Sequence, residues 1–440
     1  MRMFTLSRLG SVVSASIIVL LLAACTATSP VLAPVENPDS LSSVAPENVG
    51  LSSERLERLS SSMQALIDSG QLAGMTTMIA RDGKVAHFDT YGYQDIATKT
   101  PMTEDSIFRI YSMTKPITGV ALMMLYEEGK FRLSDPVSKY IPELKGLKVA
   151  AGKGEEGPLL EDANHEMTIR ELVSHSAGLT YGLFSPSQVD KMYNDVAVLD
   201  PQSTLKDMID KLSGLPLRQQ PGSMWHYSVA VDVQGYLVEV LSGQSFDEFL
   251  QERIFTPLGM NDTGFHVPAD KADRFAQVYV YGEDRELIAR EGFGDVNSEV
   301  SPYLTPATFF SGGGGLVSTT MDYMRFCQMV LNGGELDGVR LLSPLTVDLM
   351  HRDQLPEGVE VSPGIGFGID FAVTNDPVAA DSISKGEFYW GGAAGTWFWI
   401  DPVENLVFVG MMQQFGEGRP DVRSLSRRLT YQAVLNANGD

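Results

Sequence analysis

Residues Tyr111–Lys130 read YSMTKPITGVALMMLYEEGK. Ser112 is followed three positions later by Lys115, and the run from Ile117 to Tyr126 is almost wholly apolar. This pattern predicts a helix that begins near Ser112 and is buried on all sides. Pro116 falls in or near the first turn, where its missing N–H costs least, and Gly129 suits the residue just past the helix end. Positions i and i+3 share a helix face, so the Ser112 hydroxyl and the Lys115 amine can meet. A lysine at the mouth of a core helix is desolvated, which favours its neutral form. A neutral amine can accept a proton from a hydroxyl, and a helix N-terminus favours negative charge developing beside it.

Spacing alone does not single out this pair. Ser-x-x-Lys recurs at Ser203–Lys206 and at Ser382–Lys385. The first precedes a more polar helix and the second lies in the polar stretch DPVAADSISKGE. Only Ser112 leads into an all-apolar helix.

Two further stretches carry possible chemistry. In PGSMWHYSVAVDVQGYLVEVLSG, residues 221–243, Tyr227 follows a Pro-Gly turn and precedes an apolar run. It reads either as a proton shuttle beside a cation or as a half-buried aromatic with its hydroxyl bonded. In WGGAAGTWFW, residues 390–399, Gly391 and Gly392 read either as close backbone approach to a ligand, whose N–H groups can cradle an oxyanion, or as a glycine bulge. No G-x-S-x-G elbow is present. The six histidines show no metal-ligand spacing, and Gly312–Gly315 lacks the Lys and Ser/Thr of a phosphate loop. No metal and no organic cofactor are expected.

Working outward, GMTTMIARDGKVAHFDTYGY reads as a hairpin turning at Asp82-Gly83, and GTWFWIDPVENLVFVGMMQQF as a second turning between Asp401 and Asn405. Residues 51–69 have helical spacing, with Leu56, Leu59, Met63, Leu66 and Ile67 on one face. A last amphipathic helix is expected from Asp421 to Asn436. The middle is mostly helix and loop. The expected fold is therefore α/β (α+β): one antiparallel sheet built from both chain ends, flanked by helices, with a mainly helical lobe inserted.

The chain has 440 residues, a formal net charge of −23 and two cysteines. The acidic balance argues against a nucleic-acid partner. Arg2 and Arg8 precede the apolar run SVVSASIIVLLLAA, residues 11–24, which ends at Cys25. It is short for a membrane span and resembles a bacterial lipoprotein signal. Residues 1–24 are expected to be removed and Cys25 to be lipidated. Pro- and Ser-rich residues 25–49 then form a tether, and residues 50–440 the folded domain. Thr26 lacks the Asp associated with inner-membrane retention, so the expectation is an exported, periplasmic monomer, anchored by the Cys25 lipid to the outer membrane.

Taken in order, these stretches resemble the serine β-lactamase and penicillin-binding-protein superfamily. MTIRELVSHSAGL and SGGGGLVSTTMDYMRF extend the resemblance, which covers the chain from about Gly50 to its end. It implies Ser112 as nucleophile, Lys115 as its base and Tyr227 as partner in proton transfer. It implies an oxyanion hole from the N–H groups of Ser112 and Ala393. Two departures set the subgroup. The tyrosine box is Tyr227-Ser228-Val229 rather than Y-x-N, and the third box is Trp390-Gly391-Gly392 rather than K-T-G or H-T-G. Val229 and Trp390 then present apolar surface to substrate where relatives bind charged peptide or drug. Y-S-x with W-G-G resembles the family VIII carboxylesterases. This implies an esterase acting on a small-molecule ester of short acyl chain, with weak or no β-lactam hydrolysis. A β-lactamase or D-Ala-D-Ala-type peptidase, and a non-catalytic envelope protein, are the alternatives.

Overall fold

The computed structural model describes residues 40–155, 157–183, 186–290 and 301–438. The expected signal peptide, the expected lipidation site Cys25 and residues 26–39 of the expected tether lie outside them.

Both hairpins form where the sequence places them. Strands β1 (Gly74–Arg81) and β2 (Lys84–Asp95) are joined through Asp82 and Gly83, at φ +53° and +71°. Two successive left-handed residues make the turn whose twist matches an antiparallel hairpin. Strand β3 is Thr100–Pro101. Near the C-terminus come β4 (Ile365–Phe367), β5 (Ala372–Thr374), β6 (Phe388–Gly391), β7 (Trp397–Asp401) and β8 (Leu406–Met412). The eight form one antiparallel sheet in the order β4-β5-β6-β7-β8-β1-β2-β3. Its seam joins the two chain ends, with Met75 opposite Met412 and Arg81 opposite Leu406.

Alternation along the strands loads both faces. Trp397, Trp399, Met75 and Ile79 point to one side, where helix α1 (Ser53–Asp68) supplies Leu56, Leu59 and Met63. Phe398, Ile400, Met78 and Val409 point to the other and join the main core. That core holds α2 (Thr114–Glu127), α3 (Ala230–Ser242) and α4 (Thr320–Leu331). Every residue of α2 from Thr114 to Leu125 is buried, and Gly129 follows it at φ +73°. The segment inserted between β3 and β4 is mainly helix and loop, with small hairpins at residues 148–162, 279–289 and 335–340.

Three expectations are corrected. The last helix, α5, is Val422–Tyr431 and stops short of Asn436. Strands β4 to β6 lie in a segment that sequence periodicity leaves unassigned; β4 and β5 are three residues long, too short to show a period. Residues 41–49 are not tether. Leu41 and Val44 donate to the carbonyls of Gly83 and Val85, and Leu41 and Val49 are buried. Prolines and serines there hide a backbone pinned beside β2.

Buried acids leave a mark on stability. Glu387 has no exposed surface, and burial raises its carboxyl to about 7 from an ordinary 4.5, partly offset by Arg427 and the Tyr431 hydroxyl. Below pH 4.5 the group is protonated folded or unfolded. As pH rises from there to about 7, the unfolded chain releases the proton while the folded chain keeps it, so stability falls. Glu387→Gln removes this contribution. The urea midpoint of the variant should decline less between about pH 4.5 and pH 7.5 than that of the parent; an equal decline contradicts the assignment.

Candidate active site

Ser112 sits in a single 3-10 turn, Tyr111–Met113, that feeds directly into α2. The residue before it is strained. Tyr111 has φ +43°, a region that costs a bulky side chain about 1–3 kcal/mol. Edge-on rings of Phe415 and Tyr303, at 5.4 and 6.3 Å, hold it there. The turn lifts Ser112 off the helix axis while Lys115 remains on the first helical turn.

Lys115 has no exposed surface. Its Nζ donates to Ser112 Oγ at 3.2 Å and to the Gly313 carbonyl at 2.5 Å. It also lies 4.5 Å from the Tyr227 ring centroid and 5.3 Å from that of Tyr181. Tyr227, from the loop that enters α3, places its Oη 2.7 Å from Ser112 Oγ. One hydroxyl is thus within reach of both an amine and a phenol. The Trp390 indole Nε1, at the end of β6, donates to Tyr227 Oη at 3.3 Å. Four side chains from three distant segments meet here.

Behind them stands a layer that sequence reasoning missed. Asp232, in the first turn of α3, is fully buried, and burial raises its carboxyl despite the Ser311 hydroxyl and Lys115 nearby. Its Oδ1 accepts the Gly313 N–H at 3.1 Å and the Ser311 hydroxyl. A Cβ on Gly313 would lie 2.6 Å from Asp232 Oδ2 and 2.7 Å from Tyr181 Oη, so only glycine fits. The Gly312–Gly315 run is therefore a structural turn, and it aims the Gly313 carbonyl at Lys115. Tyr181 lies six residues after His175 in HSAGLTYG; neither carries a periodic signal.

His175 packs its ring 4.8 Å from that of Tyr227. Its Nδ1 accepts the Ser228 N–H at 3.3 Å, which puts the ring proton on Nε2. Burial, then the Lys115 charge, pushes its pKa well below the usual value, so it stays neutral. Trp225, Phe367 and Trp390 complete an aromatic wall around Tyr227, with Trp225 and Trp390 at 6.0 and 5.4 Å from its ring.

Other expected site residues fare differently. Val229 has no exposed surface and caps α3 inside the core, so it is not a wall of the site. Its place at the start of a buried helix explains why. Gly392 is required by the protein's own backbone, whereas Gly391 makes room for a side chain. A Cβ on Gly391 would lie 2.4 Å from Arg423 Nη2, and one on Gly392 2.5 Å from the Ile110 carbonyl. Ala393, just beyond, is exposed. The rival serine at the start of the polar helix is engaged elsewhere: Ser203 Oγ donates to the Asp200 carbonyl, and Lys206 pairs with Asp210. Among the described residues no group of three or more His, Cys, Asp or Glu is placed to hold a metal, and no helix is long and apolar enough to cross a membrane.

Comparison with known proteins agrees with this geometry. Residues 59–432 match the family model described as Beta-lactamase, and the chain belongs to that family. The serine at its centre makes it a serine hydrolase. Protein Rv1367c of Mycobacterium tuberculosis is 36% identical over 367 residues, covering 80% of this chain and 88% of that protein. Esterase EstB of Burkholderia gladioli is 31% identical over 359 residues, covering 78% and 86%. Among solved structures, EstCE1, described as a hydrolase with promiscuous acyltransferase activity, superposes with a TM-score of 0.73 at 29% identity, covering 87% of this chain and 98% of that one. The expected resemblance to the serine β-lactamase and penicillin-binding-protein superfamily, near the family VIII carboxylesterases, holds.

Removing the Asp232 carboxylate tests the supporting layer. Asp232→Ala leaves the Gly313 N–H and the Ser311 hydroxyl without their acceptor, at a cost of about 1–3 kcal/mol. Urea unfolding should show that loss, and Ser112 should react more slowly with a fluorophosphonate. An unchanged labelling rate would mean that the turn does not hold Lys115.

Proposed function

We propose that this chain is a serine ester hydrolase that works through an acyl-enzyme on Ser112. The observation that carries the reading is the sharing of Ser112 Oγ between Lys115 Nζ at 3.2 Å and Tyr227 Oη at 2.7 Å, beside an aromatic third box. The relatives named as esterases support it.

In the first half-reaction Ser112 Oγ bonds to the ester carbonyl carbon, and its proton passes to the Lys115–Tyr227 pair, which acts as one coupled unit. The carbonyl oxygen becomes an oxyanion held by the N–H groups of Ser112 and Ala393. The C–O bond to the alcohol breaks, and the alcohol leaves with the proton. Water then adds to the acyl carbon, gives a proton to the same pair and releases the acid. The proton returns to Ser112.

Substrate class follows from what surrounds the pair. Trp390 offers an indole where relatives place a cation, and no Asn side chain follows Tyr227 to bind an acylamino group. A β-lactam or peptide thus loses two polar contacts, whereas a short apolar acyl ester needs neither. A missing hydrogen-bond partner in such a site costs orders of magnitude in selectivity.

Purified protein should turn over p-nitrophenyl acetate and butyrate far faster than a chromogenic cephalosporin. Ser112→Ala and Lys115→Met should each lower ester kcat/KM at least about a thousandfold. Cephalosporin turnover exceeding ester turnover would point to a β-lactamase instead. No turnover of either would favour a non-catalytic envelope protein.

A further inference from the structure

The two third-box glycines make room for something behind the site. A Cβ on Gly391 would meet Arg423 Nη2 at 2.4 Å and Cζ at 2.5 Å, so the guanidinium lies directly over that backbone. Arg423 belongs to α5, far along the chain. Its Nη2 donates to the carbonyl oxygens of Gly392 at 3.1 Å and Thr396 at 3.3 Å. These bonds go to backbone oxygens rather than to a carboxylate.

The Gly392 carbonyl and the Ala393 N–H are the two ends of one planar peptide group. A cation bonded to the oxygen draws electron density along the amide and makes the N–H a stronger donor. It also fixes the plane in which that N–H points. The rest of the turn is clamped to the same end. The Gly392 N–H donates to the Thr396 carbonyl at 2.7 Å, and Thr396 Oγ1 donates to the Ile110 carbonyl at 3.3 Å, two residues before Ser112. Arg419 donates to the carbonyls of Ala393 and Gln414 at 3.2 and 2.7 Å. Among the described residues the Ala393 N–H itself has no hydrogen-bond partner.

We infer that Arg423 is a positioning residue of the oxyanion hole. Its guanidinium polarises and aligns the Gly392–Ala393 peptide, so that the Ala393 N–H is aimed and strengthened before the oxyanion forms. The glycine at 391 is the steric condition for this contact. The inference rests on the proposed reading of Ala393 as an oxyanion donor.

A contact that acts only on the developing oxyanion lowers kcat and leaves KM alone. Arg423→Met should therefore reduce kcat on p-nitrophenyl butyrate about tenfold, less than the loss of a whole donor, with KM within about twofold of the parent. Affinity for a trifluoromethyl ketone, whose adduct places an oxyanion in the hole, should fall by a similar factor. Arg423→Lys keeps the charge and loses the fork, so it should fall between the parent and Arg423→Met. Gly391→Ala pushes the guanidinium away and should cost about as much as Arg423→Met, while the double variant should cost no more than either. Should Arg423→Met unfold, the Arg423→Lys and Gly391→Ala measurements carry the test. An unchanged kcat, a raised KM alone, or losses that multiply in the double variant would each overturn the inference. A parent protein inactive on every ester would instead overturn the proposed function.

Discussion

A lysine with no exposed surface must be given partners, and the way Lys115 receives them organises the rest of the molecule. Burial of a polar amine is costly unless hydrogen-bond acceptors and fixed dipoles replace its water. Here the Gly313 carbonyl, the faces of Tyr227 and Tyr181 and the nearby Asp232 carboxyl replace it. All four come from the inserted segment. The sheet and α1 provide the rigid back wall, α2 drives Lys115 into the core, and α3 and the loop that enters it bring Asp232 and Tyr227 to it. The strained Tyr111 then presents Ser112 at the one place where amine and phenol converge.

The same layout explains the choice of residues in the third box. Trp390 bonds the Tyr227 oxygen and so joins the hydrogen-bond chain through Tyr227 to Ser112. The following glycines answer to Arg423, Thr396 and Ile110, which lock the turn onto the segment before Ser112. Ser112 and the proposed oxyanion donor are therefore tied by the Thr396 hydroxyl on the Ile110 carbonyl rather than left to separate loops. An uncharged indole in this position also removes a cation that would hold a carboxylate.

Much of this is legible in the sequence, for physical reasons. An all-apolar helix, an Asp-Gly turn and period-two strands leave strong local signals, and α2, β1, β2, β7 and β8 lie where those signals put them. Ser112, Lys115 and Tyr227 stand out because each stands at or just before the start of such an element, and Trp390 because two glycines follow it; the fold brings them together. The supporting layer is not legible. Asp232, Tyr181, His175 and Arg423 act across long sequence separations, and nothing local distinguishes them from ordinary polar residues. Val229 misleads because its motif position suggests a surface, whereas the start of a core helix is interior. Residues 41–49 mislead because composition alone cannot show backbone hydrogen bonds.

The central claim is that Ser112 Oγ becomes covalently acylated. Rapid-quench intact mass spectrometry of the protein mixed with p-nitrophenyl butyrate tests it most directly. The account predicts a single butyryl adduct during turnover, mapped by peptide digestion to Ser112. Turnover with no adduct on Ser112, or an adduct on Ser203 or Ser382, would contradict it.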